Sequence, residues 1–192
     1  MDVVALEIEG VLLITPPRFA DERGYFSEVW NARTFANAGI DETFVQDNQS
    51  LSRHEGTIRG LHFQSPPSAQ GKLIRVLKGA IRDIAVDIRQ GSPTFGRHVA
   101  MDLTAEEGRQ MWIPPGFAHG FCTLVDDTEV HYKVTGYYDR ECDTGIRFDD
   151  PDLGIDWGIP AAEAILSPKD RTLPGLADTP AYFSYGTASA SA

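Results

Sequence analysis

The sequence has few cysteines, and their arrangement excludes one class of protein. Of its 192 residues only Cys122 and Cys142 are cysteines, and they form no Cys-x-x-Cys pair. Two such residues do not make a disulfide framework. We expect Cys122, which falls in an apolar run, to be a small buried hydrophobic residue. A chain of this length can bury a core of its own.

Long apolar runs and an excess of basic residues are also missing. No stretch of about 18 apolar residues occurs, and the first residues lack a basic segment followed by an apolar one, so we expect a soluble, cytoplasmic protein. The 17 Lys and Arg against 28 Asp and Glu give a formal net charge of −11. This charge argues against nucleic-acid and membrane partners, but a small anionic ligand needs only a local cationic cluster.

Short apolar runs separated by glycine and proline are the main positive feature, and they predict strands and turns. The predicted strands are Lys72 to Leu77, Ala80 to Ile88, His98 to Leu103, Met111 to Ile113, His119 to Leu124 and Glu129 to Val134. Helical patterns are limited to Asn31 to Ala38 and, weakly, Ala161 to Ile165. We therefore predict an all-β sandwich or small barrel, with residues 1–180 as a single domain and residues 181–192 as a disordered tail.

Strand alternation assigns several polar residues to a face, because side chains two positions apart share one. Tyr132 shares its face with two valines and is predicted to point inward. Lys72 likewise shares its face with apolar residues, which predicts a buried ammonium. Asp83 and Asp87 lie on one face of their strand, so either acid could partner a lysine.

The strand around His62 raises a geometric question. His62 and Gln64 share a face, and simple alternation places Arg59 on the other face. If Arg59 and His62 reach the same cavity, Gly60 must form a bulge.

Two motifs have the spacing of a metal-binding cupin barrel but lack part of its ligand set. Gly56, five residues and His62 fit the first motif, yet Gln64 stands where a second histidine ligand belongs, and no glutamate follows before Lys72. A Pro-x-Gly-x-x-His motif ends at His119. Two imidazoles do not make the three-ligand site that catalytic zinc or iron normally requires, and a nearby ammonium would repel the cation. We expect acid–base chemistry with no metal and no other cofactor.

Histidine, lysine and tyrosine that converge in a barrel can transfer protons next to a carbonyl group. His62 would remove the proton, Lys72 would stabilise the enolate oxygen, and Tyr132 would return a proton from the opposite face. Taken singly, His62 and Tyr132 are more often core residues, whereas an unpaired lysine on an apolar face is rare. Asp170 is a candidate partner for the histidine, although a turn or capping role is the default for such a residue.

Many short motifs occur in an order that is highly specific as a set. They are Asp21-Glu22-Arg23-Gly24-Tyr25-Phe26-Ser27-Glu28, Gln46-Asp47-Asn48-Gln49-Ser50, Arg59 to Gln64 with Lys72, Asp83 to Arg89, Ile113 to Phe121, Tyr132 to Tyr138, Asp156-Trp157 and Leu166-Ser167-Pro168-Lys169-Asp170. On these residues, from about Gly10 to Leu176, the chain resembles the dTDP-4-dehydrorhamnose 3,5-epimerases.

The resemblance implies a cupin-type jelly-roll barrel with a few short helices, assembled as a homodimer. It implies a dTDP-4-keto-6-deoxyglucose substrate that is inverted at C3 and C5 on the route to dTDP-L-rhamnose, without a cofactor. The implied catalytic residues are His62 as base, Asp170 as its partner, Tyr132 as acid and Lys72 beside the enolate. The implied substrate-binding residues are Arg23, Phe26, Glu28, Gln46, Asn48, Arg59, His119, Glu141, Lys169 and Tyr138, the last stacking on thymine. Arg23 to Glu28 would reach the site of the partner subunit.

Three alternatives follow from the same residues. A relative that inverts a single carbon of a similar sugar would use the same motifs. A non-catalytic sugar-binding cupin is disfavoured by the joint presence of His62, Lys72, Tyr132 and Asp170. A metal-dependent oxygenase is disfavoured by Gln64.

Overall fold

The computed structural model describes residues 1–186, whose regular secondary structure is mainly β-strand, as predicted. The strands are β1 (Asp2–Ala5), β2 (Leu12–Thr15), β3 (Phe19–Asp21), β4 (Gly24–Phe26), β5 (Gln46–Ser52), β6 (Ile58–Gln64), β7 (Lys72–Lys78), β8 (Ala80–Asp87), β9 (Arg89–Gln90), β10 (His98–Thr104), β11 (Gln110–Ile113), β12 (Phe117–Thr123), β13 (Thr128–Val134), β14 (Asp143–Gly145) and β15 (Phe183–Ser184). No helix in this part of the chain is long and apolar enough to cross a bilayer.

The helices within residues 1–186 are short. The α-helix α1 (Ala32–Asn37) begins after Asn31, whose side chain accepts a hydrogen bond from the Thr34 backbone N–H, so the early helix is confirmed. Three 3₁₀ helices follow late in the chain, at Ala161–Glu163, Asp170–Thr172 and Leu176–Asp178. The weak helical signal near Ala161 corresponds to the first of them.

Two antiparallel sheets form a jelly-roll-like sandwich. The first sheet has the strand order β1-β2-β11-β7-β13-β5, and the second has the order β10-β8-β12-β6-β14. Hydrogen bonds among the described strands do not join these sheets into a closed barrel. The all-β jelly roll is therefore confirmed, with a two-sheet architecture.

Three apolar clusters hold the layers together. The first lies between the sheets and combines Ile74 and Met111 of the first sheet with Ile81 and Phe121 of the second. The second cluster covers the outer face of the second sheet with residues that follow β14, including Trp157. The third packs α1 and neighbouring aromatic residues on the outer face of the first sheet. Each sheet is thus covered on both faces over part of its area.

A bulge at Gly60 interrupts the ladder between β6 and β12. His62 pairs with His119 and Arg59 pairs with Phe121, so four residues of β6 (59–62) lie opposite three residues of β12 (119–121). Gly60 has a φ of +130°, and a Cβ atom there would lie 2.5 Å from the Gly120 Cα. Only glycine fits this crossing. The expected bulge is confirmed, and it lets Arg59 and His62 line one cavity.

The prediction of a disordered tail from residue 181 is wrong for its first part. Phe183–Ser184 form β15, which pairs in parallel with β9. The Phe183 ring packs against Phe63 with ring centroids 6.0 Å apart. This apolar contact helps to order the segment, whereas the sequence after Gly186 contains no large apolar residue. Residues 187–192 lie outside the described part of the chain.

Candidate active site

Two adjoining cavities lie where polar side chains replace the apolar core of the sandwich. The first has a volume of about 450 Å³, and the second has a volume of about 490 Å³. Both are lined by His62, Lys72, Tyr132 and Lys169. The first cavity also contains Arg59, His119, Asp170, Ser50 and Ser167, and the second also contains Gln46, Asn48, Gln64, Tyr138 and Asp143.

His62 and Asp170 form a hydrogen-bonded pair. The His62 Nε2 lies 2.5 Å from the Asp170 Oδ1, and the Asp170 side chain is only 3% exposed. The backbone N–H of Asp170 donates to the Ser167 Oγ, which fixes the start of the 3₁₀ helix. Burial opposes ionisation of Asp170, but hydrogen bonding and the charge of His62 outweigh it and lower the pKa of the carboxyl group. An ionised Asp170 holds the proton on Nε2 and leaves the other ring nitrogen as a proton acceptor.

Lys72 extends from the first sheet into the interior, as strand alternation predicted. Its Nζ donates a hydrogen bond to the His62 backbone carbonyl over 3.1 Å, and the residue is 9% exposed. Within residues 1–186 no carboxylate lies at ion-pair distance from this ammonium. Burial lowers the pKa of Lys72 to about 8, although the charges of Asp143 and Asp83 oppose that decrease. The ammonium is therefore available to an anionic group in the cavity.

His119 and Asp83 form a second buried pair beside Lys72. The His119 Nε2 lies 2.7 Å from the Asp83 Oδ1, and the other carboxylate oxygen is buried without a protein partner. Burial lowers the pKa of His119 even though Asp83 favours its charged form. Neither acid forms the ion pair with a lysine that alternation allowed, because Asp83 is bonded to His119 and Asp87 is 2.8 Å from the Arg89 guanidinium.

Tyr132 lies opposite the histidine, on the first sheet. It pairs with Asn48 of β5 and Ile74 of β7, so its side chain shares the inner face with theirs. Burial raises the pKa of the Tyr132 phenol. The hydroxyl group is thus protonated near neutral pH and can donate a proton into the cavity.

The second cavity contains a polar cluster around Asp143. The Tyr138 hydroxyl donates to the Asp143 carboxylate over 3.1 Å, and the Lys169 Nζ lies 2.6 Å from it. Gln46 donates to the Asn48 side chain over 2.8 Å. Asp143 was not predicted from the sequence, and no motif marked it.

Four of the sequence-predicted site residues lie outside both cavities. Arg23 and Phe26 belong to the hairpin formed by β3 and β4, where the Arg23 side chain is 85% exposed and Phe26 is 69% exposed. Glu28 is also exposed and accepts a hydrogen bond from Asn31. Glu141 lies in an exposed turn two residues before Asp143, and it is Asp143 that lines the second cavity.

Other cavity residues were missed although the sequence contained a signal for them. Ser50 alternates with Asn48 and Gln46 along β5, so strand parity would have assigned it to the same face. Ser167 precedes Asp170 by three residues, the usual spacing of a side chain that caps a helical turn.

Within residues 1–186, no three histidine, cysteine, aspartate or glutamate side chains lie close enough together to hold a metal ion.

Replacing Lys72 with methionine tests the buried ammonium. Between the folded pKa of about 8 and the ordinary value of 10.5, the unfolded chain keeps a proton that the folded chain releases. Wild-type stability should therefore rise with pH across that window. We expect Lys72→Met to raise the free energy of unfolding by about 1 to 3 kcal/mol at pH 7, with an advantage that shrinks towards pH 10.

Urea unfolding at a series of pH values provides the measurement for this substitution. Lys78→Met is the matched control, because Lys78 is exposed at the far end of the same strand and its replacement should change stability little at any pH. A Lys72→Met advantage that is absent at pH 7, or that does not depend on pH, would contradict the burial of a charged Lys72.

Comparison with known proteins adds independent information to this geometry. The family model described as dTDP-4-dehydrorhamnose 3,5-epimerase matches residues 5–178. A dTDP-4-dehydrorhamnose 3,5-epimerase of Sinorhizobium fredii is 50% identical over 181 residues, which cover 94% of this chain and 92% of the relative.

Two solved structures are informative as well. The epimerase RmlC of Legionella pneumophila, in complex with dTDP-4-keto-L-rhamnose, is 43% identical with a TM-score of 0.92, over 97% of this chain and 99% of that one. ChmJ of Streptomyces bikiniensis, a 3'-monoepimerase in complex with dTDP-quinovose, is 34% identical with a TM-score of 0.82, over 90% and 86%. With a family model that spans most of its length and relatives of this similarity, the chain belongs to the dTDP-4-dehydrorhamnose 3,5-epimerase family.

Proposed function

We propose that the chain inverts C3 and C5 of dTDP-4-dehydro-6-deoxy-D-glucose to give dTDP-4-dehydro-L-rhamnose. The observation that carries the proposal is the meeting of a histidine–aspartate pair, a buried ammonium and a tyrosine in one cavity. These three groups are the base, the charge stabiliser and the acid that epimerisation next to a ketone requires. The family to which the chain belongs supports the substrate.

The first half of each inversion is proton removal. His62 takes the proton from the carbon next to the C4 ketone, and the electrons of the broken C–H bond move into a C=C bond and onto the ketone oxygen. Asp170 stabilises the imidazolium that forms. Lys72 is the group that stabilises the enolate oxygen, since it is a cation without a carboxylate partner in the described part of the chain.

The second half is proton return from the opposite face. His62 belongs to the second sheet and Tyr132 to the first, so the two groups approach a ligand between the sheets from different sides. Tyr132 gives its phenolic proton to the carbon as the enolate electrons return to form the C–H bond. Proton exchange with solvent then restores neutral His62 and protonated Tyr132.

We propose that the second cavity binds the nucleotide. Tyr138 supplies an exposed ring for stacking on the base, and Gln46, Asn48 and Lys169 supply polar groups around it. Arg59 and His119 line the first cavity. The Arg59 guanidinium donates to the Ser52 Oγ and the Leu51 carbonyl. Asp143, rather than Glu141, is the acidic residue that the geometry favours for contact with the nucleotide.

We propose that a homodimer completes each site. Arg23, Phe26 and Glu28 are exposed, and the hairpin that carries two of them also exposes Phe19 and Tyr25, which are 63% and 59% accessible. Several adjoining aromatic residues exposed on one hairpin favour a protein contact. The hairpin of one subunit would then reach the cavity of the other.

We also propose a cytoplasmic location, which suits the free, buried thiols of Cys122 and Cys142.

Incubation of the protein with dTDP-4-keto-6-deoxyglucose in heavy water tests the function. We expect deuterium at both C3 and C5 and a product inverted at both carbons, located by mass spectrometry and NMR. Exchange and inversion at one carbon alone would favour a single-carbon epimerase of the kind that ChmJ represents. If neither carbon exchanged its proton for deuterium, the proposal would be refuted.

The variant Tyr132→Phe should separate the two halves of the reaction. Removal of the general acid is expected to lower inversion by about 10²- to 10⁴-fold, while deuterium still enters the substrate through His62. Phenylalanine keeps the ring and its burial, so the melting temperature should change little. His62→Asn is the control and should lose exchange and inversion together. Inversion at the wild-type rate by Tyr132→Phe would remove the tyrosine from the mechanism.

Complementation between two inactive variants tests the shared site. Arg23→Ala and His62→Asn should each be strongly impaired alone. If Arg23 acts in the partner's cavity, a heterodimer has both defects in one site and leaves the other intact. Equal co-expression should therefore restore about a quarter of wild-type activity, because half of the dimers are mixed and each has one complete site. No recovery in verified heterodimers would assign Arg23 to its own subunit's site, and an unimpaired Arg23→Ala homodimer would remove Arg23 from the site.

A further inference from the structure

Three side-chain amides are hydrogen bonded to the backbone of the loop that carries Tyr138. This loop follows β13, which ends at Val134. Gln70 donates to the Gly136 carbonyl over 2.6 Å, and the Tyr138 backbone N–H donates to the Gln46 side chain over 3.2 Å. Gln64 contacts the loop on both sides of the tyrosine.

Gln64 is the centre of this arrangement. Its Nε2 donates to the Ser68 carbonyl over 2.6 Å and to the Tyr137 carbonyl over 3.0 Å. Its Oε1 accepts a hydrogen bond from the Asp139 backbone N–H over 2.7 Å. Two carbonyls facing one end and an N–H facing the other permit a single orientation of the amide. At 4% exposure, Gln64 is a buried link between the loop around Ser68 and the Tyr138 loop.

The bonds made by Gln64 leave it little capacity to bind a ligand directly. Both of its N–H groups are used, and its oxygen already has a donor. The ring of Tyr138, by contrast, is 59% exposed, and its hydroxyl group donates to the Asp143 carboxylate over 3.1 Å. Apart from this hydrogen bond, its position depends on the backbone at residues 137 and 139, to which Gln64 is bonded.

We propose that Gln64 is a positioning residue for nucleotide recognition, because its amide fixes the loop on either side of Tyr138 and so places the tyrosine ring at the second cavity. This inference rests on the proposed function. It also accounts for the glutamine at the position where the cupin motif has a metal-ligating histidine. A neutral imidazole has one donor and one acceptor, so it cannot make the three hydrogen bonds seen here.

The variant Gln64→Glu tests the proposal with a side chain of the same shape. A carboxylate cannot donate to the two carbonyls and would repel them. Calorimetric titration with dTDP, which requires no turnover, should show affinity about tenfold or more weaker than wild type, and the KM for the sugar nucleotide should rise by a similar factor. The kcat should fall by a smaller factor than KM rises, because the His62–Asp170 pair is not touched. Gln64→Met, which is uncharged, should weaken dTDP binding in the same direction.

A double-mutant cycle with Tyr138→Ala separates positioning from a general loss of structure. If Gln64 acts through Tyr138, Gln64→Glu should weaken dTDP binding less than about twofold further in the Tyr138→Ala background. A full tenfold loss in that background would overturn the inference, as would wild-type dTDP affinity in both Gln64 variants. Failure of the wild-type protein to bind dTDP would instead overturn the proposed nucleotide site. Should Gln64→Glu not fold, the same cycle is measured with Gln64→Met.

Discussion

The extra residue in β6 is the constraint on which the arrangement of the site depends. In a regular strand, Arg59 and His62 would point to opposite faces. The bulge at Gly60 turns both towards one cavity. It brings the Gly120 backbone so close to Gly60 that a Cβ atom at position 60 would clash with the Gly120 Cα. Two glycines on neighbouring strands thus determine which polar groups meet. The same crossing sets His119 opposite His62 in the ladder.

The buried charged side chains are tolerated because they form hydrogen bonds with groups on other elements, including bonds from one sheet to the other. Lys72 comes from the first sheet and donates to the backbone of His62 on the second. Asp170, from a late 3₁₀ helix, neutralises the histidine when that ring gains a proton. An unpaired ammonium in an apolar sandwich lowers stability, and its retention indicates that the interior is adapted to a ligand rather than to folding alone. Function and stability therefore make opposite demands at Lys72.

Strand alternation predicted much of this from sequence, because the jelly roll buries alternate residues regularly. It assigned Tyr132 and Lys72 to the interior, and it required a bulge at Gly60 if Arg59 and His62 were to share a cavity. It did not find β5 or the hairpin of β3 and β4, whose residues are largely polar or exposed and leave no apolar pattern. Nor could it select Asp143 over Glu141, since the two acids are separated by one residue in the sequence and only the tertiary fold brings one of them to Tyr138. Loops held by side-chain amides, such as the one around Gln64, follow no periodicity.

The electrostatics of the cavity also depend on local pairing more than on composition. The chain has a formal net charge of −11, yet charges beyond about 8 Å contribute weakly at physiological salt. Asp170 and Asp143 in the cavities and Asp83 behind them are each bonded to a basic residue, namely His62, Lys169 and His119. Among the described lining residues, Lys72 and Arg59 make no ion pair with a carboxylate. These two cations are therefore free to pair with an anionic ligand, although the chain as a whole is acidic.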